Sequence, residues 1–146
     1  PGRNEMPSSW ICVDANLVIR LVADPSDERV RQLWTQWDAA LRQLAAPSLL
    51  YYEVTNALYR YQALGHMTAL SVQLALEAAL ALPLHLYREP ELHRRALALA
   101  ERFRFPAAYD AHYLAVAEHL GGELWTADRA LARSVQPDLG WVHLVL

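Results

Sequence analysis

Two alternating signatures of apolar and polar positions run along this 146-residue chain. Short apolar runs bounded by turn residues predict strands at 10–13, 44–46, 84–86, 123–126 and 141–146. Between them, apolar residues recur every three or four positions, the period of a helix with one buried face. This predicts helices over 16–22, from the Pro25-Ser26-Asp27-Glu28 cap to about 41, from about 48 to 65, over 68–81 and over 90–102, where Leu92, Ala96, Leu99 and Phe103 share a face. A further helix follows Pro106 and closes at Gly121-Gly122, and a last one spans 127–135. Strands alternating with helices predict an α/β fold around a mostly parallel sheet. No repeat, low-complexity tract or linker interrupts the pattern, so 10–146 reads as one domain and 1–9 as a flexible lead-in.

Composition narrows the picture. Hydrophobic residues make up 54% of the chain and charged residues 20%, the balance of an ordinary globular protein. The longest apolar stretch, 69–86, is broken by Gln73, Glu77, Pro83 and His85, and a membrane span needs about 20 nearly uninterrupted apolar residues. No membrane helix is therefore expected. The single cysteine, Cys12, lies inside an apolar strand and favours a reducing, cytoplasmic setting. All 13 basic residues are arginine, which excludes a Walker-type phosphate loop, Schiff-base catalysis and lysine-assisted phosphoaspartate chemistry. A net charge of −3 also speaks against a protein that coats nucleic acid electrostatically.

Four acids occupy positions where solvated charges rarely fall. Asp14 ends the first apolar strand in Ile11-Cys12-Val13-Asp14-Ala15-Asn16, and Asp128 follows a later one in Trp125-Thr126-Ala127-Asp128. Glu53 and Asp110 interrupt the starts of apolar helices. Singly, each has a bland reading, since Asp14 and Asp128 suit helix N-caps and the other two suit a helix first turn. Together they would repel one another unless a hard divalent cation held them, and such cations take oxygen ligands of this kind. In an open parallel sheet the working crevice lies outside the carboxyl ends of the strands, where Asp14 and Asp128 fall. Asn56 and Arg60, three and seven residues after Glu53, are expected on the same helix face and in the same cleft.

Asp-x-Asn after a buried strand, a Glu on a central helix, an Asp opening a Tyr-Leu-Ala-Val-Ala helix and a late Thr-x-Asp form one ordered set that resembles the PIN-domain ribonucleases. The likeness spans residues 13–131, and the compact length is similar to that of the VapC-type toxins within that family. It implies a PIN-like three-layer α/β fold with a central mostly parallel sheet flanked by helices. It also implies that Asp14, Glu53, Asp110 and Asp128 ligate Mg²⁺ or Mn²⁺ while Asn16 and Thr126 orient ligands or phosphate. The activity implied is hydrolysis of single-stranded RNA by a toxin that forms a homodimer and is held by a cognate antitoxin. Leu131 stands where the family often has an aromatic residue, a difference of packing.

Three rivals stand beside this reading. Phosphatases of the haloacid-dehalogenase type begin with a strand ending in Asp-x-Asp, but Asn16 replaces the second acid and the required lysine is missing. The more serious rival is a non-catalytic PIN-like RNA-binding or protein-interaction scaffold, against which stands the retention of four acids that without metal would only cost stability. A DNA nuclease of related fold would use the same chemistry. The six histidines show no zinc spacing, and His112 reads as a surface or cleft-edge residue. Trp34 and Trp37, one helical turn apart, read as packing residues. The 68–81 helix is apolar on most of its surface, which predicts a dimer or partner interface, with deep burial as the alternative.

Overall fold

The computed structural model describes residues 9–145; residues 1–8 of the expected lead-in and Leu146 of the last expected strand lie outside the described residues. Five strands, β1 (Trp10–Val13), β2 (Gln43–Pro47), β3 (Leu84–Tyr87), β4 (Glu123–Thr126) and β5 (Val142–Leu144), form one sheet in the order β3-β2-β1-β4-β5. All four pairings are parallel, because every connection between neighbours carries a helical crossover and none is a hairpin. Seven helices flank the sheet among the described residues: α1 (Ala15–Ala23), α2 (Glu28–Ala39), α3 (Leu49–Ala63), α4 (Ala69–Leu80), α5 (Pro90–Phe103), α6 (Tyr109–Leu120) and α7 (Arg129–Val135).

The middle of the sheet is covered on both faces, which is why β1 and β2 read as apolar runs and not as alternating patterns. Ile11, Cys12, Val13, Ala45 and Ala46 are all buried. Helix α6 lies over β1, β2 and β4, and α5 packs against it through Leu92, Ala96 and Leu99. Helices α1, α3 and α4 pack on one another, with α1 also meeting β4 and α3 meeting β2. Local signals end these helices as the sequence predicts. The Asp27 carboxylate accepts from the Val30 N–H, the Thr68 hydroxyl accepts from the Ser71 N–H, and Gly121 closes α6 with a φ of 62°.

The strand order positions the site. From β1 the chain steps to β2 on one side and later reaches β4 on the other, so the carboxyl ends of β1 and β4 flank the switch point where a crevice must open. Asp14 follows β1 directly, and Asp128 lies two residues beyond β4. Deep burial does not explain the apolar character of α4: Val72, Ala75 and Ala79 face the core, while Leu70, Leu74 and Leu80 are more than half exposed. No helix among the described residues is long and apolar enough to cross a membrane.

One close approach fixes how β4 enters the sheet beside β1. A Cβ on Gly122 would sit 2.6 Å from the Trp10 carbonyl oxygen and 2.8 Å from its Cβ. Gly122→Ala is therefore expected to destabilise the protein by about 1–3 kcal/mol through overpacking. Gly140→Ala, whose new methyl would meet nothing within 4 Å, is expected to stay within about 0.5 kcal/mol of the parent. Urea melts of the two variants check this, and equal midpoints would refute the close approach.

Candidate active site

The hydroxyl of Thr126 is the junction at the end of the sheet. It is fully buried, and its Oγ1 lies 2.8 Å from Asp14 Oδ2, 3.0 Å from the Asp128 N–H nitrogen and 3.3 Å from Asn16 Nδ2. The last two partners are donors, so the single hydroxyl proton must go to the Asp14 carboxylate. Asn16 closes the ring: its Nδ2 also approaches Asp14 Oδ2 at 3.4 Å, and its Oδ1 accepts from the Ala127 N–H at 3.1 Å. Asp14 sits at the N-cap position of α1 without a side-chain cap hydrogen bond, so its carboxylate is not used as a cap. Asp128 differs, because its Oδ1 accepts from the Leu131 N–H at 3.0 Å and does cap α7.

Glu53 and Asp110 approach from the helices. Glu53, in the second turn of α3, accepts a 2.7 Å hydrogen bond from the buried Tyr113 hydroxyl through Oε1. Asp110 lies in the first turn of α6, where unpaired backbone N–H groups favour a negative charge. Glu53, Asp110 and Asp128 line one cavity of about 480 Å³, walled by Leu49, Tyr109 and Leu131. Asp14 lies nearly buried, at 5% exposure.

The carboxyls feel one another. Burial pushes Asp14 up to about 7; the Thr126 hydrogen bond opposes this, and the charges of Asp110 and Glu53 add to it. Glu53 is raised by burial and by Asp110 but lowered by the Tyr113 hydrogen bond, and Asp110 is raised by burial and then by Asp128. Burial, with the charges of Asp14 and Glu53 nearby, drives Tyr113 far up, which keeps its hydroxyl protonated as a donor. Four oxygen-bearing anions in mutual repulsion are a donor set suited to a hard divalent cation. Among the described residues no three acid, histidine or cysteine side chains already form a closed metal shell. Glu53 is instead engaged by Tyr113, and Asp128 by its helix cap.

The structure thus brings together all six residues singled out in the sequence: Asp14, Asn16 and Thr126 by direct hydrogen bonds, Asp128 through its backbone, and Glu53 and Asp110 across the cleft. Asn56 and Arg60 do not join them. Both are exposed, and Asn56 lines a separate groove with Tyr52, Tyr59 and Arg88. Tyr113 was missed, although it follows Asp110 by three residues on a buried helix face where a tyrosine hydroxyl needs a partner. Trp37 is buried, in ring contact with Trp34 and Trp125, as a packing residue would be.

Residues 11–135 match the PIN domain family, which is more than four-fifths of the chain. The chain is a PIN-domain protein. Its fold is also similar to the crystal structure of PAE2754 from Pyrobaculum aerophilum, with a TM-score of 0.67, 25% identity, and coverage of 89% of this chain and 87% of that one. No curated protein matches it significantly in sequence. PIN domains are in general nucleases that use divalent metals, so a nuclease-type function follows for this PIN domain.

The raised Asp14 gives this PIN domain a testable pH signature in EDTA. A carboxyl whose folded pKa, about 7, exceeds its ordinary value of 3.8 is bound to its proton more tightly when folded. Its penalty on stability is therefore absent below about pH 4, grows as the pH rises through the interval, and is complete above about pH 7. Asp14→Asn removes the charge and should be the more stable protein at about pH 8, by roughly 2 kcal/mol with the neighbouring carboxyls sharing the load. The advantage should vanish near pH 4. Denaturant melts at several pH values check this, and a difference independent of pH would show that Asp14 does not titrate there.

Proposed function

We propose that this protein is a divalent-metal-dependent endoribonuclease acting on single-stranded RNA, with Asp14, Glu53, Asp110 and Asp128 as its metal ligands. The observation that supports the reading is the Asp14–Thr126–Asn16 ring at the sheet's switch point, with Asp14 close enough to feel the charges of Asp110 and Glu53, which line one cavity with Asp128. A bound Mg²⁺ or Mn²⁺ would neutralise the phosphate and lower the pKa of the attacking water. The chain's own groups do the rest. Thr126 and Asn16 hold Asp14 in one orientation, as residues behind metal ligands do. Tyr113 holds Glu53, and the first turn of α6 supports the charge of Asp110.

The expected result is cleavage of labelled single-stranded RNA in Mg²⁺ or Mn²⁺, none in EDTA, and products with a 5′-phosphate and a 3′-hydroxyl. Asp14→Asn should lower the rate by about 10²-fold or more and shrink the thermal stabilisation produced by metal. Cyclic phosphate products would reject the mechanism, and cleavage of single-stranded DNA alone would make this a DNA nuclease.

The same reading includes a toxin role, with a cognate antitoxin and a homodimer. The exposed Leu70, Leu74 and Leu80 of α4, with Tyr59 of α3 and Leu64 just beyond it, supply apolar surface beyond what one core requires. An arginine from the antitoxin would pair with the cleft acids and compete with metal. Light scattering should give a dimer mass, and Leu74→Glu should shift it to the monomer; expression without the antitoxin should inhibit bacterial growth. A monomer at every concentration would remove the homodimer.

A further inference from the structure

A second cavity, of about 400 Å³, opens beside the acidic cleft and shares Leu49 and Tyr109 with it as a common wall. Its floor is apolar and belongs to the core, with Val116 fully buried and Leu92 5% exposed. Its rim is different. Tyr52 and Tyr109 are 76% and 65% exposed, and neither ring stacks on another aromatic ring among the described residues. Arg88 reaches the rim, with no ion pair to its guanidinium among the described residues.

The polar group at this rim has its hydrogen bonding decided by a relay. His112 Nδ1 lies 2.8 Å from the Ala108 carbonyl oxygen and can only donate there, which makes His112 Nε2 the acceptor in neutral imidazole. That nitrogen is 2.9 Å from His93 Nδ1, so His93 donates through Nδ1, and in its neutral form its Nε2 is an acceptor. The cavity thus offers an apolar slot, two exposed aromatic rings with their hydroxyls, an imidazole acceptor and one cation.

Those features fit an unpaired nucleobase with its phosphate. A base has flat apolar faces that stack on tyrosine, N–H groups on its edge, and an attached anion. Continuity with the acidic cleft puts such a base beside a phosphodiester lying there. Resting on the ribonuclease reading above, we propose that this cavity is a subsite for one unpaired RNA base next to the scissile phosphate. Tyr52 and Tyr109 stack on the base, His93 Nε2 accepts from its edge, and Arg88 pairs with its phosphate.

The test reads binding, so it does not depend on cleavage. A short single-stranded RNA carries 2-aminopurine at each position in turn, and its fluorescence is followed as Asp14→Asn protein is added in Mg²⁺. Stacking should quench one position several-fold more than the others. Tyr52→Leu and Tyr109→Leu, both at exposed positions and each checked for a parent-like thermal melt, should abolish that excess and weaken binding of the RNA by about 5- to 100-fold. Equal quenching at every position, or an excess that survives both substitutions, overturns the proposal and leaves the slot to a protein partner. The two readings separate cleanly. Wild-type protein that cleaves RNA while the scan is flat loses the subsite and keeps the nuclease; a position-specific quench without cleavage in any metal does the reverse.

Discussion

One hydroxyl proton orders the end of the sheet. Thr126 receives hydrogen bonds from the Asp128 backbone and from Asn16, and so has nowhere to send its proton but Asp14. That bond ties the residue after β1 to the last residue of β4, alongside the backbone bond from the Asp14 N–H to the Trp125 carbonyl at 3.0 Å. The consequence reaches beyond one pair. With Asp14 fixed from below, Glu53 and Asp110 can approach only from the helices, and Asp128 only from the turn that Thr126 itself shapes. A threonine suits the position because its branched Cβ belongs in a strand and its hydroxyl can give one hydrogen bond while taking two.

Holding these carboxyls together costs the metal-free fold stability, and the cost is distributed. Asp14 is the most deeply buried of the four, and burial is the largest cause of its raised proton affinity. Glu53 recovers part of its loss through Tyr113, at the expense of making that phenol a permanent donor. Asp110 sits where helix N-terminal N–H groups favour an anion. Asp27 provides the contrast. It caps α2 by the same bond that Asp128 makes to α7, but it does not line the cavity that Glu53, Asp110 and Asp128 share. A capping bond by itself therefore does not say whether a carboxylate lies in a cluster of acids or apart from one.

That distinction limits what a sequence can reveal. The strands at 10–13 and 123–126 and the acids behind them were legible because short apolar runs ending in an acid are rare, and parallel topology sends such ends to one crevice. Whether Asp14 and Asp128 act as caps was not legible, since both patterns look alike until the side chains are placed; Asp128 caps and Asp14 does not. The expectation for Asn56 and Arg60 failed for geometric reasons. Seven residues of helix advance about 10 Å, which carries Arg60 out of the cleft, while a three-residue step turns Asn56 toward the groove beside β3. The His93–His112 pair was beyond reach, because its members lie 19 residues apart on different helices and meet only when α5 packs on α6.

The amino-acid balance of the chain bears on how a substrate would be held. Phosphodiester chemistry is the same at every linkage, so an acidic cleft by itself has no means of choosing where to cut. A net charge of −3 with no lysine leaves little general attraction for a polyanion, and several arginines are already committed: Arg95 to Glu118, Arg94 to Glu91 and Arg42 to Glu123. A nucleic acid held here through few phosphate contacts would release few counterions, and its affinity would depend weakly on salt. Selectivity and affinity would then rest on the same few contacts, those that an individual base can make with the walls beside the cleft. Unpaired tyrosine rings in that position are better suited to the task than additional charge, because further cations near four carboxylates would pair with them and compete with metal.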